Sequence, residues 1–357
     1  MPADPAAAPR RLAKRRRGVL LFALSLLAAD QARAAYNPLM STDFISISQW
    51  LSQNIAQGLA FNAGETFDPP REVKDRRLQP DISVGAGFLP LDTAKFPATP
   101  ALTGQGINAA GFFPSHVLFP NLVMHLRAGL PHRCDFALRA ADMTTPPGYK
   151  LSSSLYGQGQ SNSLGFDLRK HFLGRDGDPM VTVSADYNYV FGWFNFHETL
   201  PVDVENIGIV NNLAGNLRWS VASYGLNFVV SQQYGRWTPF VGLGYNHAAG
   251  SVSAGLSDTG DSNLFTPIIG QGASKVTPDQ ARGLLGWQWT RGWIDYFAEG
   301  EIEAAGPESG KVWILQAGIS LPFYIGMKSK NKSAEGILDR DSTAPLGAGA
   351  SQPVFMR

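Results

Sequence analysis

The chain is short of most groups on which soluble enzymes and redox proteins depend. It holds one cysteine, Cys134, in 357 residues, so an internal disulfide is excluded. No Cys/His cluster offers a transition-metal site. Charged residues make up 17% of the chain, against about 25% in soluble domains. Past the N-terminal region no segment approaches the roughly 18 continuous apolar residues of a membrane-spanning helix. Gly242 and Gly244 precede no helical pattern, which removes a phosphate-binding loop. What is abundant instead is glycine (38 residues) and aromatic side chains (11%). That balance fits a protein whose surface faces something other than water, and equally a soluble β-sandwich.

The N-terminus narrows the choice. Arg10, Arg11, Lys14, Arg15, Arg16 and Arg17 precede an apolar run from Gly18 to Ala29, followed by Ala32-Arg33-Ala34. A basic region, a short apolar core and a small-x-small site make a secretory signal peptide, residues 1–34. The remainder carries 23 basic and 27 acidic groups, a net charge of −4. The basic character therefore belongs to export, and nucleic acid is not an expected partner.

Residues 35–79 read as a helix and a linker. Phe44, Ile47, Leu51 and Ile55 recur at three and four residues, with Ser41 or Thr42 as a cap and Gly58 as a stop, which predicts a helix over 42–57. Its apolar stripe, including Trp50, has to be buried somewhere: in a lumen, at a mouth or on a membrane. From about residue 81 the period changes to two. Val181, Val183, Ala185, Tyr187, Tyr189, Phe191 and Trp193 alternate with Thr182, Ser184, Asp186, Asn188 and Gly192. Such alternation is a strand with one oily and one polar face. The pattern recurs around 82–88, 122–130, 136–140, 164–168, 222–230, 241–245, 285–289, 294–303 and 313–323, giving ten strands.

The connections alternate too. Links after even strands are tight: Pro131-His132-Arg133, residues 174–178, Tyr234-Gly235 and Arg291-Gly292. Links after odd strands are mostly long: 92–118, 145–161, 198–213 and 255–279, with a shorter one near 305–310. Short turns on one side and long loops on the other are a feature of outer-membrane barrels. In lipid every backbone polar group needs a partner within the protein, so strands can cross only as a closed barrel. With an even strand count both chain termini fall on the short-turn side. The strands and links together resemble bacterial outer-membrane β-barrel proteins as a class, over residues 81–325, without a motif that names a family. The expected fold is all-β, an up-and-down antiparallel transmembrane β-barrel of about ten strands, or twelve if loop 92–118 or 145–161 hides a hairpin. The barrel spans 80–326, and residues 327–357 form a polar disordered tail. Outer-membrane lipid and the barrel-assembly machinery, which reads a last strand such as Val312 to Ile325, are the implied partners.

The inward face then carries Arg127, Arg139, Asp167, Arg169, Asp186, Asp295, Glu299 and Glu301 as candidates for a solute pathway. The row Asp295, Glu299, Glu301 and Glu303 requires partners, for which Arg127, Arg139, Arg169 and Arg282 are available. Trp193, Trp237, Trp287, Trp293 and Trp313 are placed for an interfacial girdle. Phe44, Ile47, Trp50 and Leu51 are candidates for a lumen plug, which by analogy with the fatty-acid transporter type of barrel implies gated passage of an apolar or amphipathic molecule. Asp258 to Asn263 is oxygen-rich but lacks EF-hand spacing, so no metal and no cofactor are expected. Omptin proteases resemble this strand count, yet the chain has no Asp-x-His motif and no catalytic residue is carried over. The expected function is a non-enzymatic narrow channel or transporter for a small solute. A closed structural or surface-binding barrel and a hydrolase with a rim site stand as alternatives.

Overall fold

The computed structural model describes residues 38–64, 71–75, 77–146, 148–150, 155–174, 179–204, 207–260, 268–276, 279–306 and 309–321. The expected signal peptide and C-terminal tail lie outside these residues. Helix α1 (Pro38–Ala63) precedes strand β1 (Leu78–Pro90). The link to β2 (His116–Leu130) holds two 3-10 turns and the five-residue helix α2 (Pro100–Gly104). The following strands are β3 (Cys134–Thr144), β4 (Tyr149–Lys150), β5 (Tyr156–Phe172), β6 (Met180–Val204), β7 (Ile207–Ser231), β8 (Trp237–Gly260), β9 (Ile268–Lys275), β10 (Asp279–Arg291), β11 (Ile294–Ala305) and β12 (Trp313–Ser320).

Neighbouring strands pair antiparallel from β10 through β11, β12, β1, β2, β3, β5, β6 and β7 to β8, and β8 pairs with β10 to close a ten-stranded barrel. The two additional strands are short. Strand β4 pairs with β5 within the link 145–161, one of the two places open to a further hairpin. Strand β9 pairs with the upper part of β8 (Ser251↔Lys275) while β10 pairs with the lower part (His247↔Asp279), in one unbroken register. Strand β9 is thus the outward continuation of β10. At the short-turn end, Gly235 (φ 62°) and Gly292 (φ 64°) adopt the left-handed conformation that tight turns require. The expected long link 198–213 is largely strand, because β6 and β7 remain paired out to Val204↔Ile207.

The side chains explain why the sheet closes and where it sits. On β7, Ala222, Tyr224, Leu226, Phe228 and Val230 point outward, nine residues that span roughly 26 Å of strand. Outward residues above them on the same strand are polar or small: Asn212, Ala214, Asn216, Arg218 and Ser220. The inward face shows the reverse. On β6, Thr182, Ser184, Asp186 and Asn188 line the lower interior, whereas Val190, Phe194 and Phe196 line the upper. Strands β7 and β8 repeat this with Leu213, Leu217, Trp219, Val221, Val252, Ala254 and Leu256. Across the oily band the wall faces lipid outside and polar groups inside. Beyond the band, polarity inverts, as it must once water replaces lipid at the outer surface. The inward face is therefore polar only over its lower half, which the alternation alone did not reveal.

Helix α1 fills the upper half. It is longer than the expected 42–57 and continues through Gly58, which does not stop it but lies against Leu89. It begins at Pro38, ahead of Ser41 and Thr42. Its first turns contact the top of the tall wall, where Ser41 Oγ donates to the Ile269 carbonyl at 3.0 Å. Its last turn reaches mid-lumen, where the Phe61 carbonyl accepts from Arg282 at 2.9 Å. Residues 71–75 then lie at the short-turn end, with Glu72 paired to Arg133 at 2.9 Å. The chain thus descends from the long-loop end through the barrel before β1 turns back. The barrel itself still begins and ends at the short-turn side, as expected, and of the sites open to the helix it occupies the lumen.

Candidate functional site

The lower lumen is a belt of buried charge. Asp81 accepts from Arg127 Nε at 3.0 Å and bonds His125 Nδ1 at 2.6 Å. Arg127 also donates to Ser320 Oγ at 3.1 Å. Asp135 repeats the arrangement two strands away, with Arg169 Nε at 2.6 Å and His171 Nε2 at 2.8 Å. Arg282 pairs with Glu301 and donates to Asn246 Oδ1 at 2.9 Å. Asp186 takes Asn227 Nδ2 at 2.8 Å. Arg71, from the segment before β1, pairs with Asp295 at 3.3 Å. A charge here is tolerated only because its partners replace the lost water.

All eight candidate pathway residues, Arg127, Arg139, Asp167, Arg169, Asp186, Asp295, Glu299 and Glu301, are buried on the inward face. Arg282 pairs with Glu301 of the acidic row as expected, and Arg127 and Arg169 pair in addition with Asp81 and Asp135. Asp81 and Asp135 lie near the ends of otherwise ordinary alternating strands, so only the three-dimensional register reveals their role. Trp193, Trp237, Trp287 and Trp293 point outward and are exposed, and Trp313 stacks on Phe88 with ring centroids 3.8 Å apart.

The upper lumen is apolar and mostly filled by α1, on which Phe44, Ile47, Trp50 and Leu51 are all buried. Two surfaces grip the helix. Against β9 the contact is backbone-close, because Gly270 and Gly272 face it without side chains. Ser48 Oγ donates to the Gly270 carbonyl at 3.3 Å, and Ala273 N–H donates to Gln49 Oε1 at 3.3 Å. These bonds cover part of the outer edge of β9. On the other side lies the β1–β2 link. The Asp43 carboxylate accepts the N–H groups of Ala101 and Leu102 at 2.9 and 3.0 Å, where α2 begins. Trp50 donates its indole N–H to the Asp92 carbonyl at 3.1 Å and meets Phe96 and Phe113 edge-on. The Asp92 carboxyl, hydrogen-bonded to Lys95, is held below its ordinary range.

Between α1 and the wall an apolar pocket remains, with about 60 Å³ of enclosed space. Leu51 and Ile55 of the helix line one side; Val117, Phe119, Leu155, Phe194, Leu217 and Trp219 line the other. Trp219 is buried, and its indole N–H has no hydrogen-bond partner among the described residues. In such a setting an acceptor brought by a ligand would recover the lost hydrogen bond. The sequence reading missed this cavity because its walls come from β2, β3, β5, β6, β7 and the helix at once.

One acid–His pair does occur near the outer boundary. His247 Nδ1 and Asp279 Oδ1 are 2.9 Å apart, and Asp279 also bonds the Tyr245 hydroxyl. Both residues are exposed on the outward face of the wall, away from the cavity.

No family model matches the chain, and no curated protein does. Solved structures similar to it include a major outer membrane protein from Thermus thermophilus, at 14% identity and TM-score 0.26, covering 68% of this chain and 98% of the other. The transport unit of the autotransporter AIDA-I from Escherichia coli is similar at 11% identity and TM-score 0.29, covering 76% and 99%. A Pseudomonas aeruginosa FadL homologue is similar at 8% identity and TM-score 0.27, covering 78% and 98%. Scores this low carry no weight beside the strand pairing itself. The closed ten-stranded sheet, its oily outer band and its charged lower interior give this chain the build of an outer-membrane β-barrel, without a narrower family.

Proposed function

We propose that the protein is a transporter for small apolar molecules that carry at most a hydrogen-bond acceptor. The observation that supports this most directly is the apolar cavity beside α1, set above a belt of mutually paired buried charges. Ligand pockets are concave and apolar with few polar groups, and this one has that lining. An open pore for polar solutes would leave lumen charges in water, whereas Arg127, Arg282 and Glu303 are 0–1% exposed. The proposed role is non-enzymatic.

The test uses purified protein in lipid vesicles and methyl 12-bromododecanoate, whose bromine quenches indole fluorescence on contact. Saturable quenching is expected, weakened in Leu217→Gln, with the preference for ester over hydrocarbon lost in Trp219→Phe. The ester should bind a few-fold tighter than 1-bromododecane if the Trp219 N–H is used, since one net hydrogen bond adds about 0.5–1.5 kcal/mol. The buried charge belt also favours a second reading, a closed structural barrel. Quenching that rises linearly without saturation, as from ligand dissolved in lipid, would select that reading.

A further inference from the structure

We propose that the pocket selects its ligand by thickness, admitting an unbranched hydrocarbon chain and excluding a globular hydrocarbon of equal polarity. Glycines beneath the rings of its wall set the limit. The proposal rests on the apolar-ligand reading above and names the substrate class.

The wall opposite α1 carries aromatic rings laid flat on backbone. Gly157 and Gly159 of β5, Gly192 of β6 and Gly215 of β7 all occupy inward positions. Each has a ring from a neighbouring strand resting on it. Phe194 lies across Gly157 and Gly159, and Phe196 lies across Gly215. Trp219 lies across Gly192, where an added Cβ would come within 2.5 Å of Cζ2 and 2.8 Å of Cε2. At Gly215 the three atoms nearest to an added Cβ all belong to the Phe196 ring. Glycine weakens a strand and marks places where another group approaches the backbone closely. Here that group is a ring each time, and Phe194, Phe196 and Trp219 all line the pocket.

This arrangement fixes the width of the slot. A Cβ at an inward position grows from the sheet toward the lumen. Non-bonded carbons rest about 3.5–4.0 Å apart, so any side chain at these positions would lift a ring off the wall toward Leu51 and Ile55. The helix side has little room to yield. Helix α1 is backed by β9, where Gly270 and Gly272 meet its backbone, and Trp50 is anchored to the Asp92 carbonyl at 3.1 Å. The enclosed space of about 60 Å³ therefore lies between a braced helix and rings pressed against the sheet. A single chain can enter such a slot edgewise, whereas a cage must displace a ring or the helix. Trp219 gives an independent sign of a ligand here. Buried donors are normally satisfied, yet its buried indole N–H has no partner among the described residues.

The experiment compares methyl 12-bromododecanoate with methyl 3-bromoadamantane-1-carboxylate, which carries the same ester on a globular cage. Tryptophan quenching is measured on the protein in lipid vesicles. In the parent, quenching by the linear ester should saturate and quenching by the cage ester should not. Phe196→Ala removes one flattened ring and should bring saturable quenching by the cage ester. Gly215→Ala should weaken the linear ester several-fold by lifting the Phe196 ring, and should have no further effect when added to Phe196→Ala. Gly157→Ala, beneath Phe194, supplies the same comparison with Phe194→Ala if Gly215→Ala fails to fold by heat-modifiable gel migration. Equal saturation by both esters in the parent, or a Phe196→Ala barrel that still rejects the cage, would overturn selection by thickness while leaving the binding reading intact. A Gly215→Ala effect of the same size with and without the Phe196 ring would overturn the role of the glycines. No saturation by the linear ester in the parent would overturn the binding reading, and the selection with it.

Discussion

The packing of α1 against β9 can be tested by adding side chains where there is room for none. A Cβ at Gly270 would lie 2.5 Å from the Ile45 nitrogen, and one at Gly272 would lie 2.5 Å from the Ser48 carbonyl carbon. Such atoms normally rest about 3.5–4.0 Å apart, so the helix must retreat by roughly 1 Å at each site. Overpacking a fitted contact typically costs about 1–3 kcal/mol. The retreat also lengthens the 3.0 Å and 3.3 Å bonds from Ser41 and Ser48 to β9, each worth about 1 kcal/mol. For Gly270→Val with Gly272→Val the shift against the docked helix is thus about 3–4 kcal/mol if half the nominal overpacking cost is relaxed away. At about 1.4 kcal/mol per factor of ten, the displaced population rises by roughly two to three orders of magnitude. Ser52 is fully buried, so a Ser52→Cys reporter in a Cys134→Ser background reads that population through its labelling by a membrane-impermeant maleimide. Labelling of the double valine variant at the rate of the glycine parent, with the barrel still folded by its heat-modifiable gel migration, would refute the close packing of α1 on β9.

Three further outcomes are expected. Arg282→Met leaves Glu301 buried without its cation and should destabilise the barrel by about 3–5 kcal/mol, while adding Glu301→Leu should restore most of the loss; urea unfolding from vesicles measures both. In a Cys134→Ser background, Leu39→Cys on intact cells should label from outside with the impermeant maleimide and Asp75→Cys should not, because the chain descends from the long-loop end; the opposite pattern would invert the helix. In planar bilayers the full-length protein should show no stable conductance. Deleting residues 36–79 removes the helix together with Arg71, Glu72 and Val73, which contact Asp295, Arg133 and Asp135, and should produce a conductance. Silence in both forms would indicate a lumen closed by its own charges.

Much of the architecture was legible along the chain because it rests on local periodicity. Alternation on β6 identifies which of Thr182 to Trp193 face inward, and the tight turns at Gly235 and Gly292 mark the short side. Arg127, Asp186 and Glu301 could be assigned to the lumen for the same reason: in a strand the parity of a residue determines its face. The α1 stripe of Phe44, Ile47 and Leu51 also announced a buried helix, though Gly58 misled its length. A glycine stops a helix only when nothing else rewards continuation, and here it lets the helix approach Leu89.

Pairing between distant strands decided the rest. That Asp81 and Asp135 take Arg127 and Arg169 depends on shear between strands, which no single segment encodes. The descent of α1 from the outer end is written in bonds between residues more than 200 positions apart, such as Ser41 to Ile269. The cavity beside α1 is assembled from β2, β3, β5, β6 and β7 at once, a property of no strand alone. Alternation along a strand determines inside from outside; only the closed sheet determines which insides meet.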